Sequence, residues 1–110
     1  MRKAELVNVI AAQIDHIRQS LMAKNVEYGH NEEALYNFKR AAKINNTIPE
    51  VSLWGFASKH LVSVIDIIVN LQNGELADKK QFDEKIGDLI NYLILLKALI
   101  YERYEQETTE

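Results

Sequence analysis

LWGFASKHLVSVIDIIVNL, residues 53–71, is the stretch on which the fold turns. Lys59, Ser63, Asp66 and Asn70 recur at spacings of four, three and four, which on an α-helix stacks them along one side. Leu61, Val62, Val64, Ile65, Ile67, Ile68, Val69 and Leu71 cover the rest of the circumference. A helix that is apolar nearly all round is expected to be buried nearly all round. The polar stripe is then either the one edge left to solvent or the lining of an internal site.

A second stretch, EKIGDLINYLILLKALIY at residues 84–101, repeats the arrangement. Glu84, Asp88 and Asn91 fall at spacings of four and three, followed by a run from Leu93 to Ile100 broken only by Lys97. Two such helices with their stripes facing would gather Asp66, Glu84 and Asp88 around one small volume. That volume is the candidate site.

Outward from these two helices, the chain reads as helical throughout. Val7, Ile10, Ile14, Ile17 and Leu21 alternate at three and four over residues 3–25, an amphipathic helix expected to pack its stripe into a core, with His16 at the boundary. Gly29 is the expected stop. Asn31 reads as the N-cap of a second helix, with Glu32 and Glu33 in its first turn and an end near residues 44–46. Thr47 and Glu50 have capping-box spacing ahead of the third helix, and Pro49 suits its first turn. Gly55 is expected to permit a close helix contact beside Trp54. Gly74 stops the third helix, and the last begins near Asp78 and runs to about Glu105, leaving residues 106–110 to fray. No segment shows the alternation of a half-buried strand. The expected fold is all-α, a single domain over residues 1–110 built as a bundle of about four helices.

Composition narrows the function classes. A length of 110 residues suits one core, and 47% hydrophobic with 26% charged content is ordinary for a globular domain. A net charge of -3 argues against DNA or RNA binding through general phosphate attraction. The absence of cysteine removes disulfides, thiol catalysis and thiolate metal sites. MRKAELVNVIAAQ carries Glu5, Asn8 and Gln13 where a signal peptide needs an apolar run, and the longest apolar run falls short of a bilayer span. No membrane association is expected, and a cytoplasmic location is. The third and fourth helices carry more apolar surface than one stripe each, so a homo-dimer or tetramer is expected to hide the surplus.

The chemistry these residues could carry is that of a hard cation. Asp66, Glu84 and Asp88 offer oxygen ligands suited to Mg²⁺, which usually binds together with substrate phosphates. Lys59 could meet a phosphate as a point charge, and a metal-activated water could attack a phosphoanhydride. Acidic residues at this spacing are equally common on solvated helix faces. Tyr28, Trp54 and Tyr92 could stack on a base, although aromatics at helical spacing are more often core. His30 and His60 lie on different helices, and His60 reads as an edge residue.

EYG at 27–29, NF at 37–38, the Lys59–His60 pair and DLINY at 88–92 together resemble small phage and prophage proteins grouped as nucleotide-modification-associated domains. These are similar to the all-α NTP pyrophosphohydrolases of the MazG and dimeric dUTPase types. The resemblance covers roughly residues 15–102. It implies an oligomeric α-helical fold, Mg²⁺, and cleavage of a (deoxy)nucleoside triphosphate to monophosphate and pyrophosphate. On that pattern Asp66, Glu84 and Asp88 hold metal, with Glu84 and Asp88 catalytic. Lys59, Ser63, Asn91 and Tyr92 contact the nucleotide, and Glu27, Tyr28 and Gly29 stand at the rim. The chain departs from the family's paired acids: Ser63 stands where a first acid would, and Lys85 stands three before Asp88. Two further readings stay open. One is a non-catalytic helical module that binds a nucleotide signal or a host protein. The other is a structural oligomer whose stripes face solvent.

Overall fold

The computed structural model describes residues 1–23, 33 and 35–109, with side chains to residue 107, and its described residues fall into two compact units that divide after Ala34. The first unit holds α1, Lys3–Ile17, which continues into a π-helical turn at Arg18–Met22. The second holds α2, Tyr36–Ile44, then α3, Pro49–Gln72, and α4, Lys79–Thr109. Among the described residues the fold is all-α with four helices.

Turn chemistry accounts for most of the boundaries. Pro49 opens α3 at a position whose N–H has no intrahelical partner in any case. Past its end, Gly74 lies at φ +85°; its N–H donates to the Leu71 carbonyl at 3.0 Å and that of Glu75 to the Asn70 carbonyl at 2.9 Å. Those two bonds are a Schellman closure, which satisfies carbonyls the helix leaves open. Asn46 closes α2 in the same way at φ 55°, with the Thr47 N–H donating to the Ala42 carbonyl at 2.9 Å. Asp78 caps α4, its carboxylate accepting from the Gln81 N–H at 3.3 Å.

Several expectations need correction. α2 begins at Tyr36 with Leu35 at its N-cap, so Glu33 lies outside its first turn; Gly29, Asn31 and Glu32 fall outside the described residues. Thr47 and Glu50 form no capping box. Ile48 is the N-cap, and no side chain bonds the helix end. Glu50 is taken instead by Arg103 of α4, whose guanidinium donates to both carboxylate oxygens, with Nη2–Oε1 at 2.9 Å. α4 stays helical to Thr109. No residue of α1 is buried: Val7, Ile10 and Ile14 are all exposed, because among the described residues its unit supplies no second helix to cover the stripe.

The core lies where three helices meet. α2 packs on α3, and α3 packs antiparallel on α4 across the 73–78 turn. Leu35, Leu53, Ala57 and Leu99 are buried there, with Phe38, Tyr92, Leu95, Leu96 and Ala98 against them. Phe38 meets Phe56 edge-on at 6.3 Å between ring centroids. Beyond Ala57, α3 has lost α2 and keeps only α4 as a packing neighbour in this unit. The expected all-round burial of α3 is therefore not found; only Ser52, Leu53 and Ala57 are buried. Nor does Gly55 admit a close contact among the described residues, since a Cβ built on it would meet nothing of theirs within 4 Å. Among the described residues α3 alone is long and apolar enough to cross a bilayer. Lys59, His60 and Asp66 sit in its middle turns, where a charge costs roughly 3 kcal/mol in hydrocarbon.

Two measurements test this packing. Leu53→Ala should cost about 2–5 kcal/mol in urea denaturation, because the side chain is fully enclosed, whereas Ile44→Ala at an exposed last-turn position should change stability by about 0.5 kcal/mol or less. The Arg103 hydrogen bonds hold the Glu50 carboxyl below its ordinary value, against the opposing effect of burial. A lowered folded-state value gives stability that is full above the ordinary carboxylate range and lost as pH falls through and below it. Melting temperature against pH should show that acid limb shrink in Arg103→Met.

Candidate functional site

Each polar stripe takes a different path from the one its spacing suggests. On α3, Ser63, Asp66 and Asn70 line a groove of about 310 Å³ with Ile67. Its other walls are Glu75, Leu76 and Ala77 of the connecting turn and Gln81 and Lys85 of α4. Lys59, the fourth member of the stripe, lines a separate cleft of about 450 Å³ with Asn45, Thr47, Ser52, Gly55 and Phe56. The Ser63 hydroxyl donates to the Lys59 carbonyl at 3.1 Å, so its proton is engaged within the helix.

On α4, Gln81 and Lys85 line that groove and Asp88 and Tyr92 meet His60 of α3, while Glu84 is exposed. The cause lies in the core. Leu95, Leu96 and Leu99 fix which side of α4 packs on its neighbours, and stepping back by threes and fours passes through Tyr92, Asp88, Lys85 and Gln81. Glu84, four residues before Asp88 and so about 40° from it around the helix, does not line the groove and is exposed. Asn91 is buried, at 5% exposure.

The three acids consequently occupy three surroundings: Asp66 the groove, Glu84 the outer face, and Asp88 a contact with His60. Among the described residues, no three His, Asp or Glu side chains stand close enough together to hold a metal ion. The His60 Nδ1 lies 3.6 Å from the Asp88 Oδ2, and the imidazole tilts over the Tyr92 ring at 5.1 Å between centroids. Burial, and then the Asp88 charge, raise the Tyr92 phenol above its ordinary value. Tyr28, with Glu27 and Gly29, lies outside the described residues.

The sequence reading missed Glu75, Gln81 and Lys85 as groove residues and His60 as the partner of Asp88. Glu75 sits in the connecting turn and carries no periodic signal. Lys85 and Gln81 could have been found by extending the Leu99–Leu95–Tyr92 line toward the N-terminus of α4; His60 lies on α3, outside that line. A third set of charges, Lys39 with Glu102 at 2.8 Å and Arg103 with Glu50, is mutually neutralised around the junction of α2, α3 and α4. Those pairs tie the helix ends together and leave little net charge for a ligand.

Comparison of the chain with protein-family models, with curated proteins and with solved structures finds no match.

Alkaline absorbance titration tests the His60–Asp88–Tyr92 cluster. One phenol should titrate above the ordinary tyrosine value and vanish in Tyr92→Phe. Asp88→Asn should bring it only part of the way down, because burial is the larger cause.

Proposed function

We propose that the chain is a binding module for a phosphate-bearing small molecule, a nucleotide by the resemblance of its motifs, held in the α3–α4 groove and not hydrolysed there. The observation that carries this reading is the content of the groove: two carboxylates, Asp66 and Glu75, the ammonium of Lys85, and the neutral donors and acceptors of Asn70 and Gln81. Mg²⁺ is commonly held by one or two carboxylates, several waters and the phosphates of its ligand, so Asp66 and Glu75 suffice for a magnesium–phosphate complex. Lys85 supplies a point charge for a phosphate oxygen that the metal does not cover. Hydrolysis would ask for more, namely a second carboxylate cluster able to activate water beside the phosphoanhydride. Asp88 is engaged with His60, and Glu84 faces away, so neither supports that role.

Hydrolysis of a (deoxy)nucleoside triphosphate is the second reading. Its support is the pairing of an acidic groove with a lysine, a set that polarises a phosphoryl group as well as binding one.

Thermal unfolding with Mg²⁺ and a panel of nucleoside triphosphates, followed by product analysis, separates the two. Ligand at a hundred times its Kd stabilises the native state by about 2.7 kcal/mol. A stabilised protein returning intact nucleotide is the expected result, and Asp66→Ala and Lys85→Ala should each lose the shift while Glu84→Ala keeps it. Released pyrophosphate would instead establish the enzyme. An absence of any shift would reject the groove as a nucleotide site.

A further inference from the structure

Half of α3 is left without a neighbour by its own unit, and that face has a regular composition. Val51, Gly55, Ser58, Val62, Ile65 and Val69 succeed one another at four, three, four, three and four. At 100° per residue they form one seam, opposite the buried line through Leu53 and Ala57. Val51, Val62, Ile65 and Val69 are between 45% and 56% exposed. No member of the seam is charged, and its one hydroxyl, on Ser58, donates back to the Trp54 carbonyl at 2.6 Å. A four–three alternation of this length is the pattern by which two helices interlock side chains along a common line.

We infer that a second copy of this chain docks against this seam, with the two α3 helices antiparallel and Lys59 of each copy beside Asp66 of the other. Two features select the occupant and its direction. The first is size. The seam is small at one end, with Gly55 and Ser58, and larger at the other, with Val69 and then Gln72. An antiparallel two-fold pair sets Gly55 against Gln72, Ser58 against Val69, and Val62 against Ile65, so each small residue meets a large one. A parallel pair would set Gly55 on Gly55 and leave a gap. The open space at the Gly55 Cβ, which none of the described residues occupies, is then filled by the second helix.

The second feature is charge. Lys59 and Asp66 lie two turns apart on the same flank of the seam, and among the described residues neither makes an ion pair within the chain. Antiparallel pairing puts matching flanks on the same side, with Lys59 of one copy within about 3 Å, along the axis, of Asp66 of the other. Two such pairs form around the axis. Parallel pairing places the two flanks on opposite sides, where Lys59 would find Trp54 and Leu61. Two exposed ion pairs add little affinity, but they set direction, as flanking charges do in paired helices. This association needs no ligand in the groove.

Sedimentation of the full chain without nucleotide tests it across micromolar loading concentrations. A dimer is expected, and Val62→Asp should shift it to monomer with unchanged helical circular dichroism. The chain has no native cysteine, so oxidative cross-linking reads the direction directly. Ser58→Cys combined with Val69→Cys should give a covalent dimer, and Ser58→Cys alone should not. Lys59→Asp or Asp66→Lys alone should weaken the dimer several-fold, and the double exchange should restore it. A monomer at every concentration would overturn the inference, as would cross-linking of Ser58→Cys alone or association confined to lipid vesicles.

Discussion

The packing of α4 against α3 through Leu95, Leu96 and Leu99 governs where nearly every polar group of the second unit ends up. These leucines sit with Leu53 and Ala57 in the core, and their burial contributes more than any polar contact nearby can offset. Once they choose the side of α4 that faces inward, helical geometry carries the choice three turns back to Lys85 and Gln81. The polar residues have no vote in that rotation. Lys85 lies in a groove with Asp66, and Glu84 is exposed.

The same packing divides α3 into two unlike halves. Its first two turns lie between α2 and α4, where Leu53 and Ala57 are almost completely enclosed. Its last four turns have α4 on one side only, so polar side chains can line the edge between the helices while Val62, Ile65, Ile68 and Val69 stay open. The charged pairs Lys39–Glu102 and Glu50–Arg103 both lie at the three-helix end. Partly exposed pairs of this kind add modest stability. Their larger effect is on register, since a bidentate guanidinium–carboxylate contact between residues 53 apart tolerates little sliding of α4 along α3.

Local chemistry was the most legible part of the sequence. Pro49, Gly74 and Asp78 act through their own backbone or the nearest turn, and the helix ends fall within a residue or two of where they predict. The capping box at Thr47 and Glu50 failed for the opposite reason: a carboxylate that could reach back to its own helix end was claimed by an arginine half the chain away. Spacing likewise showed that Asp66, Glu84 and Asp88 recur on helical faces. It could not show the level at which the two helices meet: Asp88 falls beside His60, while Gln81 and Lys85 fall beside Asp66. The stripes of the two helices do come together, but with Gln81 and Lys85 opposite Ser63, Asp66 and Asn70.

α3 remains the unusual element, because its sequence is apolar in more directions than the unit has helices to cover. One direction is filled by α2 and α4 at the core. A second, between Ser63 and Asn70, is polar and meets the turn and the start of α4. The third, from Val51 to Val69, is as regular in spacing as the first, yet its Val62, Ile65 and Val69 stay about half exposed. A sequence under no pressure to bury that face would carry charges on it, as the exposed first turns of α4 do with Lys79, Lys80 and Asp83. Asp66 stands on the boundary between the polar edge and the open seam. That one carboxylate therefore belongs to both faces of the helix.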